Sequence, residues 1–95
     1  NAEDVWSAER TRILAGLEQQ PGKHLIVVQY APQHSPHEEW VYNKADIDAA
    51  SVVWARDLGT LENDRLLQYF NDRHVWALQA DTAPAKLHRS VRESR

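Results

Sequence analysis

The chain has 95 residues, a length that fits one domain near the lower end of the sizes that fold alone. An apolar fraction of 42% with four tryptophans supplies one compact core, and 26% charged residues argue against disorder. The lack of cysteine excludes disulfides and thiolate metal sites. The longest strongly apolar run, Leu25 to Val28, falls far short of the roughly 20 residues of a membrane span.

The net charge of −3 is unevenly distributed along the chain. Residues 1–80 hold seven Lys/Arg against twelve Asp/Glu, a net charge of −5. Residues 81–95 hold four Lys/Arg against two Asp/Glu, a net charge of +2. An acidic body repels phosphates and four basic residues attract them only weakly, so nucleic acid is not an expected partner.

The two ends of the chain differ from its middle. It begins with Asn1-Ala2 and contains no methionine, and this pair resembles the remnant of a cleaved expression tag. We therefore expect a fragment of a longer protein, with a single domain over residues 3–81. Residues 82–95 form a polar, basic stretch interrupted by proline, predicted to be a frayed or partly helical tail.

The first element is predicted as an amphipathic helix from Asp4 to Gln20, ended by Pro21-Gly22. Apolar residues recur on one face at helical spacing, and the charged side chains lie mostly elsewhere. The apolar set is Trp6, Ile13, Leu14 and Leu17, and the charged set is Glu9, Arg10, Arg12 and Glu18.

Three short apolar runs predict strands that are covered on both faces: His24–Tyr30, Ser51–Ala55 and His74–Gln79. Between the first two runs we expect a helical turn over Lys44–Ala50, capped by Asn43. Between the last two we expect a second amphipathic helix, capped by Asn63 or Thr60 and extending to about Asp72. Alternating strands and helices imply parallel pairing and right-handed crossovers. The predicted fold is a small α/β domain with an open, mostly parallel sheet of three or four strands flanked by helices, in Rossmann-like layers.

Ligands of open parallel sheets bind outside the carboxyl ends of the strands. This rule selects the segment Tyr30–Glu39, the pair Arg56-Asp57 and Asp81, which should meet at one edge. The candidate ligand-binding residues are Tyr30, His34, His37, Glu39, Arg56 and Asp57, with Glu38 beside them.

The loop His34–Glu39 admits two interpretations. Two imidazoles spaced by three residues and two carboxylates offer nitrogen and oxygen ligands to a divalent ion, which makes His34 and His37 weak metal candidates. The spacing matches no fixed zinc motif and Pro36 interrupts any helix, so a solvated polar loop is the simpler alternative.

Arg56 also has two interpretations. An arginine at the carboxyl end of a strand can hold a phosphate or carboxylate by a two-pronged contact. The alternative is an ordinary ion pair with Asp57, Glu39 or a neighbouring helix.

Each tryptophan belongs either to the core or to a surface that contacts a ligand. Trp54 and Trp76 lie within strands and are predicted to be core, and Trp6 faces the sheet. Trp40 either covers an edge of the core or stacks on a ligand.

No self-sufficient catalytic motif is present. There is no Gly-x-Ser-x-Gly elbow, no cysteine nucleophile, and no base partner in sequence for Ser35 or Ser51. The segment after the first strand, Tyr30-Ala31-Pro32-Gln33, lacks the glycines of a phosphate loop. No catalytic residue and no cofactor are predicted.

A longer pattern covers about residues 20–81 and resembles the soluble C-terminal region of certain large bacterial multi-pass membrane proteins. These proteins are similar to glycosyltransferases that use lipid-linked sugar donors. The resemblance is carried by Gly22–Tyr30, His37–Asn43, Ala45–Asp48, Val52–Asp57, Tyr69-Phe70, Asp72-Arg73 and Val75-Trp76.

The resemblance implies a domain on the extracytoplasmic face of the cytoplasmic membrane, following the last transmembrane helix. In such enzymes the catalytic acidic residues lie in loops among the membrane helices, so no catalytic residue is transferred to this chain. The implied role is accessory, in substrate recognition, positioning or assembly. The implied partners are the rest of its own chain and a sugar or lipid-linked substrate.

Two other hypotheses stay open. One is a small metal-dependent hydrolase or ligand-binding domain that uses the edge from His34 to Asp57. The other is an interaction module whose basic tail, Lys86 to Arg95, docks on a partner or an anionic membrane surface. The sequence does not determine an oligomeric state.

Overall fold

The computed structural model describes residues 2–90 and confirms the α/β class. Its elements are helix α1 (Ala2–Glu18), strands β1 (Lys23–Gln29) and β2 (Val52–Arg56), helix α2 (Thr60–Tyr69), and strands β3 (Arg73–Gln79) and β4 (Lys86–Arg89). The predicted tag residue Asn1 and the tail residues 91–95 lie outside the described part of the chain.

The four strands form one sheet in the order β2-β1-β3-β4. Strand β1 is central and pairs in parallel with β2 and β3, so that Leu25 lies level with Val53 and Val75. Strand β4 pairs antiparallel with the outer side of β3. The sheet is therefore open and mostly parallel, as the alternation of apolar runs predicted.

Alternate residues of the strands build a core on each face of the sheet. One core, on the face that α1 covers, contains Leu17, Ile26, Val28, Trp40, Val52, Trp54, Leu78 and Ala80. The other contains Leu25, Val27, Val53, Val75 and Phe70, with Leu66 and Leu67 of α2 packed against it. Burial on both faces explains why the strands read as continuous apolar runs.

The long loop from Tyr30 to Ser51 contributes to the core through Trp40, which is fully buried. Its ring centroid lies 6.0 Å from that of Trp6 and 6.3 Å from that of Trp54. Trp40 is therefore part of the interior and is not exposed to stack on a ligand. Trp54 is buried as predicted, whereas Trp76 is only half-buried.

The predicted helical turn over Lys44–Ala50 is wrong. Only a hydrogen-bonded turn forms there, with the Ala49 amide donating to Oδ1 of Asp46 over 3.3 Å. Asn43 does not cap a helix, because its side chain pairs with the backbone of Trp54. Oδ1 of Asn43 accepts from the Trp54 amide at 2.8 Å and Nδ2 donates to the Trp54 carbonyl at 2.9 Å. The amide group thus continues the hydrogen bonding of the sheet at the outer edge of β2.

The prediction of a frayed or helical segment after Asp81 is wrong for residues 86–89. They form β4, in which Leu87 lies opposite Leu78 and Arg89 opposite Trp76. Only Leu87 is apolar in this strand, since β4 is an edge strand with one free side.

The prediction that the charged residues of α1 lie away from its buried face is wrong for Arg10, which is 6% exposed. The caps predicted for α2 are also corrected. Gly59 precedes the helix with a φ of 94°, and no side chain caps the first turn.

Candidate functional site

The loops that follow β1, β2 and β3 meet at the carboxyl edge of the sheet, where the sequence predicted a ligand region. The amide of Ala31 donates to Oδ2 of Asp81 at 2.8 Å, which joins the end of β1 to the end of β3. The side-chain amide of Gln29 donates to Oδ2 of Asp57 at 3.2 Å, which joins β1 to β2. Each predicted segment therefore contributes to one continuous surface.

His34 is held on both sides of its ring. Nδ1 lies 2.5 Å from Oδ1 of Asp81, and Nε2 lies 2.7 Å from the carbonyl oxygen of Glu38. The ring stacks on Tyr30 with centroids 3.9 Å apart. Both ring nitrogens of His34 therefore have a polar partner. Neither nitrogen is left to ligate a metal in this conformation.

Tyr30 and Glu39 form the second pair. The Tyr30 hydroxyl donates to Oε2 of Glu39 at 2.6 Å and accepts from the Trp40 amide at 2.9 Å. Burial, reinforced by the hydrogen bond to Glu39, raises the pKa of the Tyr30 phenol to about 12. The bond from Tyr30, followed by that from the Val41 amide, lowers the pKa of the Glu39 carboxyl. Tyr30 therefore stays a phenol and Glu39 stays a carboxylate at neutral pH.

Asp57 stabilises the turn that precedes α2. Its Oδ1 accepts from the Gly59 amide at 3.0 Å and from Nδ2 of Asn63 at 2.9 Å. Oδ1 of Asn63 in turn accepts from the Leu58 amide at 3.1 Å. These bonds fix the turn that carries the chain from β2 into the helix. The role of Asp57 visible in the fold is to position its neighbours.

Arg56 differs from the other candidates. Its guanidinium carbon lies 5.2 Å from the centroid of the Tyr30 ring. Within residues 2–90 this guanidinium forms no ion pair and donates no hydrogen bond, so the ion pair considered in the sequence does not form. The positive charge of Arg56 still attracts the Glu39 carboxylate and contributes to lowering the pKa of that group. Arg56 thus presents free N–H donors at the carboxyl edge of β2.

Arg56 and Glu39 line the same cleft, which has a volume of about 390 Å³. Its remaining lining residues are Tyr30, Ala31, Pro32, His34 and Pro36. We call this the Arg56 cleft. It combines N–H donors from Arg56 with carboxylate acceptors from Glu39, and proline rings supply apolar surface between them. Such a mixture suits a neutral, hydroxyl-rich ligand better than a purely anionic one.

His37 does not join the other candidates. Its side chain is exposed, and its only hydrogen bond in the described chain is the amide contact to Oγ of Ser35 at 3.4 Å. Among residues 2–90 no group of three or more His, Asp or Glu side chains is arranged to hold a metal ion. The donor set at this edge thus gives the metal hypothesis no structural support.

The sequence interpretation missed a second cleft next to the first. It has a volume of about 280 Å³ and is lined by Gln29, Tyr30, Ala31, Gln79, Asp81 and Thr82. Gln29 and Gln79 are partners at the ends of β1 and β3. The signal in the sequence was a glutamine at the end of two apolar runs, which becomes informative only once the strand register is known.

No family model, curated protein or solved structure matches this chain. Neither helix in residues 2–90 combines the length and apolarity required to cross a membrane.

Proposed function

We propose that this domain is a non-catalytic recognition module of a larger membrane glycosyltransferase-like protein, in which it binds the saccharide part of a substrate. The membrane context and an extracytoplasmic location come from the resemblance over residues 20–81. The ligand class comes from the chemistry of the Arg56 cleft.

The single observation that carries the proposal is that the Arg56 guanidinium has no hydrogen-bond acceptor within residues 2–90. Its guanidinium carbon lies 5.2 Å from the centroid of the Tyr30 ring, and Arg56 lines a cleft together with Glu39. Sugar hydroxyls donate and accept at once, so a ligand can donate to Glu39 and accept from Arg56. Nothing else in the described chain uses the hydrogen-bonding capacity of this guanidinium.

The neighbouring polar groups favour recognition over catalysis. Asp81, His34 and Asp57 each hold two or more polar partners that fix the loops of the edge. A general acid or base needs a proton that it can exchange with substrate, in reach of the reacting atom. Side chains committed to such bonds serve better as a rigid frame for a binding surface.

The ligand part of the proposal is tested by titrating the isotope-labelled chain with methyl glycosides of glucose, mannose and arabinose. Ligands of about a dozen heavy atoms, at about 0.3 kcal/mol per atom, bind only in the millimolar range. We expect saturable amide shifts at Tyr30, Glu39 and Arg56. The absence of any saturable shift at these positions for all three glycosides would reject saccharide recognition.

The membrane part of the proposal has a separate test. The complete gene should encode many apolar spans upstream of residue 3. A precursor whose upstream sequence is entirely polar and soluble would reject the membrane context, whatever the result of the titration.

A further inference from the structure

A third cleft, on the α1 side of strand β2, is lined by a buried cation. Arg10 of α1 donates from Nε to the carbonyl of Trp40 and from Nη2 to the carbonyl of Tyr42, both at 2.8 Å. Its guanidinium carbon lies 3.6 Å from the Tyr42 ring centroid and 4.1 Å from that of Trp54. The two rings therefore cover the faces of the guanidinium, and one of its two N–H edges is occupied.

Within residues 2–90, the other N–H edge of Arg10 has no acceptor. Nη1 and the second hydrogen of Nη2 form this edge, and no described residue accepts a hydrogen bond from Nη1. No carboxylate of the described chain forms an ion pair with Arg10. Nη1 is not among the buried side-chain atoms without a partner in the described chain, and Arg10 lines a cleft. A guanidinium that is 6% exposed and has no counter-ion in the described chain is a costly arrangement that an anion would stabilise.

The space next to Arg10 has a volume of about 200 Å³ and shares no lining residue with the Arg56 cleft. Leu14, Val52 and Trp54 give it apolar walls, while Lys44 adds a second positive charge and Glu18 a negative one. We call it the Arg10 cleft. In this cleft the Arg10 guanidinium is held by two carbonyls and lies between the rings of Tyr42 and Trp54.

We propose that the Arg10 cleft binds a small monocarboxylate carried on a flat apolar body. A carboxylate matches the free N–H edge of a guanidinium with two parallel hydrogen bonds. Glu18 disfavours a ligand with more than one negative charge, which selects a carboxylate over a phosphate dianion. The apolar walls select a body such as an aromatic ring over a polyol.

Benzoate is the probe for this site, and benzyl alcohol is its uncharged control. Titration of the isotope-labelled chain with benzoate should give saturable shifts at the amides of Leu14, Lys44 and Trp54. Benzyl alcohol should bind at least about tenfold more weakly, a difference of about 1.4 kcal/mol. Equal binding of the two, or no saturable shift with benzoate, would overturn the proposal.

Variants separate Arg10 recognition from a general attraction of anions. Arg10 also ties the loop to α1, so R10M risks unfolding, and the exposed residues Lys44 and Glu18 are safer sites. We expect Lys44→Met to weaken benzoate binding severalfold and Glu18→Gln to strengthen it. Lys86→Met, which removes the same charge from β4, should leave the affinity unchanged. An equal loss in K44M and K86M would show a non-specific charge effect and contradict the site.

Discussion

Nδ1 of His34 lies 2.5 Å from Oδ1 of Asp81, a contact that joins the loop after β1 to the end of β3. Oδ2 of the same carboxylate accepts from the Ala31 amide. The residue that follows the third strand thus holds the loop that contains most of the candidate ligand-binding residues. Disturbing Asp81 should change the Arg56 cleft without touching Arg56.

Asp81→Ala should lower the free energy of unfolding by about 1–3 kcal/mol, because it removes two hydrogen bonds to a charged acceptor that is only partly exposed. Urea denaturation measures this loss. The matched control is Asp72→Ala, which removes a carboxylate with an exposed contact to Lys23 at 3.9 Å and should cost less than about 1 kcal/mol. Equal losses in the two variants would mean that Asp81 does not hold the loop.

Asn43→Ala should cost about 1–2 kcal/mol, because it leaves the Trp54 amide and carbonyl without their two hydrogen bonds at the sheet edge. Thermal and urea unfolding report the change. Asn71→Ala, in the exposed turn after α2, is the control and should lie within about 0.5 kcal/mol of wild type. A similar stability for N43A and wild type would show that solvent replaces the Asn43 contacts without loss.

Acidification should destabilise the domain through His24, which is 1% exposed. Burial lowers the pKa of this imidazole below 6.5, and His74, Arg89 and Arg73 lower it further against the opposing bond to the Gln20 carbonyl. Its Nδ1 accepts from the Trp76 indole, which requires the uncharged ring. The unfolded chain therefore takes up the proton first, and stability falls as the pH drops below 6.5 towards the folded-state pKa.

Urea unfolding at a series of pH values from neutral to acidic measures this effect. His24→Gln should be less stable at neutral pH but should lose less stability on acidification. His37→Gln, which replaces an exposed imidazole, should keep the wild-type slope. A wild-type slope in H24Q would assign the acid sensitivity to another group.

Alkaline conditions should test the Tyr30–Glu39 pair. The pKa of Tyr30 is raised to about 12, above the ordinary value of 10.0, so its contribution to stability is complete below pH 10 and is lost as the pH rises towards 12. Ultraviolet absorbance of the phenolate should show a step near 12 that Tyr30→Phe removes. Tyr69, whose pKa is also raised by its hydrogen bond to Asp48, should keep its own titration in that variant. Tyr42→Phe is the control and should retain it.

The sequence predicted the three parallel strands because their burial on both faces leaves an unambiguous apolar run. It could not predict β4, since an edge strand with Leu87 as its only apolar residue carries no such pattern. The helical turn after Asn43 failed for a different reason. The Asn43 side chain pairs with Trp54, eleven positions away, and this tertiary contact prevails over a local capping preference.

The rule for strand carboxyl ends predicted that the loops after β1 and β3 meet at one edge, and the contacts of Asp81 with Ala31 and His34 show that they do. Which residues are free could not be derived in that way. Both His34 and Arg56 were candidates in the sequence, but the three-dimensional arrangement distinguishes them. Among residues 2–90, His34 has two polar partners and Arg56 has no hydrogen-bond acceptor. Arg10 was also predicted to lie on the charged face of α1. The sequence of a helix does not show that a distant loop supplies carbonyl acceptors to one of its charged side chains.

The most direct test of the central claim is the affinity of an Arg56→Gln variant for the methyl glycoside that binds the wild-type chain best. The control is Arg12→Gln, which removes the same charge from an exposed position on α1. We predict that R56Q loses at least about tenfold in affinity, since removing a charge-assisted donor costs about 1.5–3 kcal/mol, while R12Q binds as wild type does. Unchanged affinity in R56Q, or an equal loss in both variants, would contradict saccharide recognition by the Arg56 cleft.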